Sequence, residues 1–346
     1  MAIIEVDHVT KKFKDLIAVK DVTFEVEEGE IFGLLGPNGA GKSTLISILC
    51  TLLYSTEGTA RVCGFDVNRE ASKVRENIGI VFQEIILDDL LTGKENLRFF
   101  AKIGNMPKIE REQKIDDLLH LVDLYDRKDD IVKNYSGGMK RRLEIARGLL
   151  FNPKILFLDE ATLGLDAQNR RIIWDYCRRL NKEQSVTILL TSHYIEEAEI
   201  SNRVAIIDFG KIIELDTPKG LKRKVGEDYI KVIGKTTTEV DIISKISNLD
   251  FIKEINKDMS DEYEKYKIYI KNSSEEAIPF LIDEFLKYGF KFKSISDNKP
   301  TLEDVFIYYT GRQLRDENLR SNESIKSENL KAKKSGSRIF SGRNDN

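Results

Sequence analysis

Apolar residues in the first two thirds of the chain follow two rhythms. Ile31–Leu35, Ile78–Phe82, Ile155–Leu158, Val186–Leu190 and Val204–Ile207 are short runs rich in β-branched or aromatic residues. They have strand length, and several lead into longer helical patterns, as parallel-sheet units do. Ile3–Phe13 and Ala18–Val26 read as strands of an antiparallel edge. Residues 87–130 carry Leu and Ile at helical spacing among many charges and predict a helical insertion. The alternation over residues 1–217 therefore predicts an α/β layered domain.

Past Pro218 the rhythm changes. Tyr229–Ile233 reads as a strand, Val240–Ile246 as a helix, Phe251–Ile255 and Tyr266–Ile270 as strands, Glu275–Tyr288 as a helix and Phe290–Ile295 as a strand. In Tyr266–Ile270 the odd and even positions split into two faces. A β-α-β-β-α-β order predicts a small α+β, ferredoxin-like domain over residues 218–311. Leu302–Tyr309 closes it as a short helix, with Thr301 as its cap and Leu302, Val305, Phe306 and Tyr309 on its apolar face. Residues 312–346 are mostly Ser, Asn, Lys, Arg and Glu, a composition that predicts a disordered polar tail.

Composition narrows the classes. The 346 residues are 41% hydrophobic and 33% charged with a formal net charge of −3, enough for a sizeable core but without the basic excess that nucleic acid calls for. No direct nucleic-acid partner is expected. Cys50, Cys63 and Cys177 form no C-x-x-C pair and read as small apolar residues of a reduced cytosolic protein. The apolar runs fall well short of the roughly 18 residues that span a bilayer, and the N-terminus lacks a signal-peptide pattern. The expectation is a cytoplasmic protein that reaches a membrane only through a partner.

The densest chemistry lies in Gly36-Pro37-Asn38-Gly39-Ala40-Gly41-Lys42-Ser43-Thr44. It fits G-x-x-x-x-G-K-[ST] and stands between an apolar strand and a predicted helix, Ser43–Leu53, where a phosphate-binding loop belongs. Glycines let backbone N–H groups wrap a polyphosphate, and the helix N-terminus adds its positive end. Lys42 would reach the β- and γ-phosphates and Ser43 would ligate Mg²⁺. A second strand, Ile155–Leu158, runs into Asp159-Glu160. Two carboxylates at the carboxyl end of a strand form the Walker B arrangement, with Asp159 for Mg²⁺ and Glu160 to polarise the attacking water.

Many nucleotidases share those two motifs. Between them lies Tyr135-Ser136-Gly137-Gly138-Met139 with a basic helical run behind it. This resembles the signature motif of ATP-binding-cassette (ABC) ATPases: a hydroxyl, unhindered N–H groups and a helix N-terminus make a second anion site. The resemblance covers residues 2–217 and implies an ABC cassette, a P-loop NTPase with a RecA-like core, an antiparallel edge and a helical insertion. It implies that Gln83 is the Q-loop glutamine that senses Mg²⁺ and the attacking water. Asp166 would be the D-loop aspartate, His193 the switch histidine at the γ-phosphate, and Phe13 the aromatic that stacks on adenine. It further implies ATP and Mg²⁺, hydrolysis of ATP, and a partner cassette, a second copy or a paralogue, whose Ser136, Gly137 and Gly138 complete each site. The chain departs from the family at Tyr135 and Met139, where Leu and Gln are commoner, and at Ala161, where Pro is usual. None of these removes a catalytic group.

Leu91-Thr92-Gly93-Lys94-Glu95-Asn96-Leu97 and Pro300-Thr301-Leu302-Glu303-Asp304-Val305-Phe306 resemble segments of ATPases that serve ABC-2 type, daunorubicin-resistance-like exporters. That branch implies an integral membrane permease as partner. The alternatives are a soluble ABC protein of chromosomes or ribosomes, and an importer ATPase with a regulatory C-terminal domain. Against the chromosome type, about 120 residues separate Lys42 from Asp159 with no sustained heptads, and a single cassette argues against a translation factor.

Overall fold

The structure is a computed structural model and describes residues 2–225, 229–236, 242–247, 249–259, 263–271 and 274–310. The chain divides into two compact units, one built around residues 1–218 and the other from Lys219 to Tyr308.

At the centre of the first unit five parallel strands lie in the order β9 (Arg203–Asp208), β3 (Ile31–Leu35), β8 (Thr187–Ser192), β7 (Ile155–Asp159), β6 (Ile78–Val81). The antiparallel β10 (Lys211–Asp216) extends the β9 edge. Side chains alternate across the sheet with a period of two. Ile155, Phe157 and Leu189 enter one core, with helix α1 (Lys42–Leu49) and the antiparallel strands β1 (Ala2–Phe13), β2 (Leu16–Glu27) and β4 (Glu57–Val62). Leu156, Leu158, Ile188 and Leu190 enter the other. That core also takes in helices α3 (Gly93–Ile103), α4 (Lys108–Leu121), α5 (Gly137–Gly148) and α6 (Ala167–Gln184). A sheet apolar on both faces explains why its strands read as unbroken hydrophobic runs.

Local chemistry fixes the ends. Helix α1 stops at Leu49, short of the expected Leu53, because the chain turns through Thr51 in the left-handed region at φ 62°. Helix α3 opens with a reciprocal capping box between Thr92 and Glu95. Its first residue, Gly93, packs where the Tyr135 hydroxyl lies 2.3 Å from the position a Cβ would take, and that hydroxyl donates to Arg127 O at 2.6 Å. The segment Leu91–Leu97 and the Tyr135 turn are thus fitted to each other.

In the second unit β11 (Tyr229–Thr236), α9 (Ile242–Ile246), β12 (Ile252–Met259), β13 (Glu264–Ile270), α10 (Ser274–Lys287) and β14 (Phe290–Asn298) follow the expected β-α-β-β-α-β order. The antiparallel sheet runs β12-β13-β11-β14. Ile230, Val232, Ile268 and Leu281 pack with Tyr266, Phe285 and Phe290, whose rings meet edge to face. Helix α11 (Leu302–Thr310) follows and buries Leu302, Val305 and Phe306. The expected start of α9 at Val240 and the expected tail beyond residue 311 lie outside the described residues.

Candidate functional site

The carboxyl ends of β3, β7 and β8 meet at one cleft of about 610 Å³, lined by Leu16, Ile17, Ala18, Asn38, Gly39, Gly41, Lys42, Ser43, Thr44, Gln83, Glu160, Leu163, His193, Phe209 and Gly210. This is where open α/β sheets place their ligands. Gly41 caps α1 at φ 105°, and a Cβ there would stand 2.3 Å from Ala18 O, so the position admits only glycine. That close approach brings the loop against β2 and leaves the N-terminus of α1 open toward the cleft.

Lys42 is 4% exposed. Its ammonium donates to Gly36 O at 2.8 Å and Pro37 O at 3.0 Å, and pairs with Glu160 Oε1 at 3.2 Å. Ser43 Oγ donates to Asp159 Oδ1 at 3.1 Å, and Thr191 Oγ1 donates to the same oxygen at 2.6 Å. Thr191 Oγ1 also accepts the Glu160 backbone N–H at 3.0 Å. Glu160 itself takes φ 46°, which turns its side chain out of the β7 ladder. His193 Nδ1 stands 3.5 Å from Glu160 Oε2, and neither ring nitrogen hydrogen-bonds to a described residue although both are buried. Burial pushes the Glu160 carboxyl up, but His193 and Lys42 together outweigh it and hold the group below its ordinary value.

The residues fit a nucleoside triphosphate and a hard divalent cation. The N-terminus of α1 has no side-chain cap and the buried ring nitrogens of His193 have no hydrogen-bond partner among the described residues, while the Lys42 ammonium supplies positive charge. Ser43 and Asp159 offer the oxygen ligands that Mg²⁺ prefers.

Not all of the expected residues come together here. Phe13 is 41% exposed at the end of β1 and does not line the cleft; Leu16, Ile17 and Ala18, just beyond the hairpin turn, do. Ser136, Gly137, Gly138 and Asp166 are also absent from the lining. They gather at a second place. Ser136 caps α5 by accepting Met139 N–H, and Asp166 caps α6 by accepting Asn169 N–H at 2.9 Å. Asn169 Oδ1 lies 2.2 Å from where a Cβ on Gly138 would be, which ties the two helix starts into one surface. Sequence reading passed over Thr191, whose hydroxyl bridges the two carboxylate residues. It also passed over Glu197, which accepts from Thr162 Oγ1 and so links the segment after His193 to the turn after Glu160. Burial raises the Glu197 carboxyl's pKa, with Ser192, Thr162 and Trp174 opposing.

The ABC transporter family profile matches residues 19–163. The chain is 35% identical over 315 residues to the linearmycin resistance ATP-binding protein LnrL of Bacillus subtilis, covering 90% of this chain and 100% of that one. The chain belongs to the ABC transporter ATP-binding proteins. It is 33% identical over 314 residues to the daunorubicin/doxorubicin resistance ATP-binding protein DrrA of Streptomyces peucetius, across 90% and 94% of the two chains. Among solved structures, the dimeric, post-hydrolysis ATP-binding cassette MJ0796 bound to ADP and Pi superposes with a TM-score of 0.56 at 30% identity. It covers 62% of this chain and 98% of that one. The fold is that of an ABC cassette, and the chain is an ATPase of that family.

Proposed function

We propose that this ABC protein is the ATP-hydrolysing motor of an exporter, acting at the cytoplasmic face of a membrane through a separate permease. The observation that supports the reading is that the start of α5, an anion site in this proposal, does not line the cleft that holds the phosphate loop. The cleft gathers Lys42, Ser43, Gln83, Glu160 and His193, while the start of α5 at Ser136, Gly137 and Gly138 lies apart from it. A helix N-terminus that can meet phosphate but stands outside its own phosphate cleft is suited to a second cassette, a copy or a paralogue, joined head to tail.

In this mechanism the loop Gly36–Thr44 wraps the phosphates and Lys42 leaves its carbonyl partners for the β- and γ-phosphates. Ser43 and Asp159 would hold Mg²⁺, which neutralises charge on the phosphate oxygens when bound. Gln83 orients the attacking water, Glu160 polarises it, and His193 offers a ring N–H to the γ-phosphate. Asp166 communicates across the dimer. ATP favours the closed dimer because only there does α5 of the other copy meet the γ-phosphate, and product release removes that preference. Ile85, Ile86 and Leu90 beside Gln83 and Phe99 and Ile103 on α3 are exposed apolar side chains that a permease would cover. No described helix is long and apolar enough to cross a membrane. The segment 218–311 serves as a docking or regulatory module.

Purification of the tagged chain from native membranes tests the reading. A stoichiometric polytopic membrane protein, with ATPase activity lost on Mg²⁺ chelation, is expected. Recovery with ribosomes or DNA, or with a solute-binding protein, would overturn the exporter assignment.

A further inference from the structure

Helix α5 carries charged residues that do not face water. Arg141 is 3% exposed and donates Nη1 to Phe82 O at 2.6 Å and Nη2 to Gln83 O at 2.8 Å. One turn on, the fully buried Glu144 accepts Ile86 N–H at 3.0 Å through Oε1. Its Oε2 accepts Nη2 of Arg147 at 2.8 Å, and the same Arg147 nitrogen donates to Ile80 O at 2.9 Å. Three charged residues at i, i+3 and i+6 on one helix therefore grip the backbone before and after Gln83.

The grip has a physical logic beyond packing. A buried guanidinium and a buried carboxylate each cost several kcal/mol in lost hydration unless fully bonded. Apolar side chains would join a helix to a loop at no such cost. Beyond β6, which ends at Val81, the carbonyls of Phe82 and Gln83 have left the parallel ladder. Arg141 supplies the donors they lack, and its planar fork fixes both at once, which a single ammonium cannot do. The N-terminus of the same helix is the Ser136 turn, and Arg141 lies five residues along it, about 7.5 Å of rigid helix axis away.

We propose that Arg141, braced by Glu144 and Arg147, is a positioning residue that couples the signature helix to Gln83. Seating of the start of α5 on the other copy's γ-phosphate then sets the glutamine at this copy's own ATP. The coupling runs through a bonded, rigid element that joins the Ser136 turn to the backbone at Gln83. It rests on the reading of Gln83 as the water-orienting residue and on head-to-tail pairing.

The test is a double-mutant cycle on the full chain, read as steady-state kcat and KM for ATP, with Gln83→Ala, Arg141→Met and the pair. Gln83→Ala is expected to lower kcat about tenfold or more, and Arg141→Met by a similar factor with KM changed less than about twofold. The double variant should be no slower than Gln83→Ala alone, because one residue acts through the other. Arg141→Lys should recover only part of the loss. If Arg141→Met melts below the assay temperature, Arg141→Lys replaces it in the cycle. Effects that multiply, or wild-type kcat in both Arg141 variants, would overturn the coupling while leaving Gln83's role intact. Wild-type kcat in Gln83→Ala would instead overturn the reading of Gln83 on which it rests.

Discussion

Replacing Glu160 by Gln keeps the size of the side chain and removes one charge from the most tightly paired part of the cleft. The carboxylate stands 3.2 Å from the Lys42 ammonium and 3.5 Å from His193 Nδ1, all three residues being at most 9% exposed. At an effective dielectric near 20 the gross attraction across 3.2 Å is on the order of 5 kcal/mol, before desolvation is counted. An incoming phosphate must compete with that attraction for Lys42. The Gln variant should therefore bind ATP as tightly as the wild type or more tightly, while a neutral amide cannot polarise water as a base does. Turnover should fall by ~10²–10⁴, equivalent to about 2.7–5.4 kcal/mol of transition-state stabilisation. Phosphate release measured beside nucleotide binding separates the two effects. The pH profile adds a sign. Because the folded pKa of Glu160 is depressed in the nucleotide-free protein, its base form survives there below the ordinary 4.5, so it contributes no acid limb to kcat/KM between pH 8 and pH 5. The accompanying stability is present above the unfolded value and is lost as pH falls through the folded one. Near-normal turnover in the Gln variant, or loss of ATP binding with it, would refute the reasoning.

Further outcomes follow from named contacts. Gly41→Ala places a Cβ against Ala18 O in a backbone conformation that L-residues avoid, and should abolish ATP binding by equilibrium dialysis. Gly93→Ala should cost about 1–3 kcal/mol in denaturant unfolding through the clash with the Tyr135 hydroxyl, and Tyr135→Phe should return part of it. Truncation after Pro218 should leave ATP affinity unchanged but weaken recovery of the permease; loss of nucleotide binding would show that the second unit belongs to the site.

How much of this was legible depended on where a signal lives. β3 and the core of β7 and β8 stood out because they are buried on both faces and admit only apolar residues. The phosphate loop and Asp159-Glu160 were legible because their chemistry is contiguous in sequence. β4 exposes four of its six residues and β10 buries none, so no apolar run marks them. Leu16, Ile17 and Ala18 reach the cleft only because the hairpin folds back, which no local pattern announces. The buried charges of α5 were the hardest. On a sequence Arg141, Glu144 and Arg147 look like a solvated helix face, and only the tertiary fold shows that their partners are the backbone around Gln83. Glu197 and Thr162 are of the same kind.

The composite site is the claim on which the mechanism stands, and mass measurement tests it most directly. Light scattering on eluted peaks of the Glu160→Gln variant should show a monomer without nucleotide and a dimer with ATP. Adding Gly138→Asp sets a carboxylate at the N-terminus of α5, where the partner's γ-phosphate must sit. That double variant should remain a monomer with ATP while binding the nucleotide with unchanged affinity. An ATP-dependent dimer in the presence of Gly138→Asp would contradict the account.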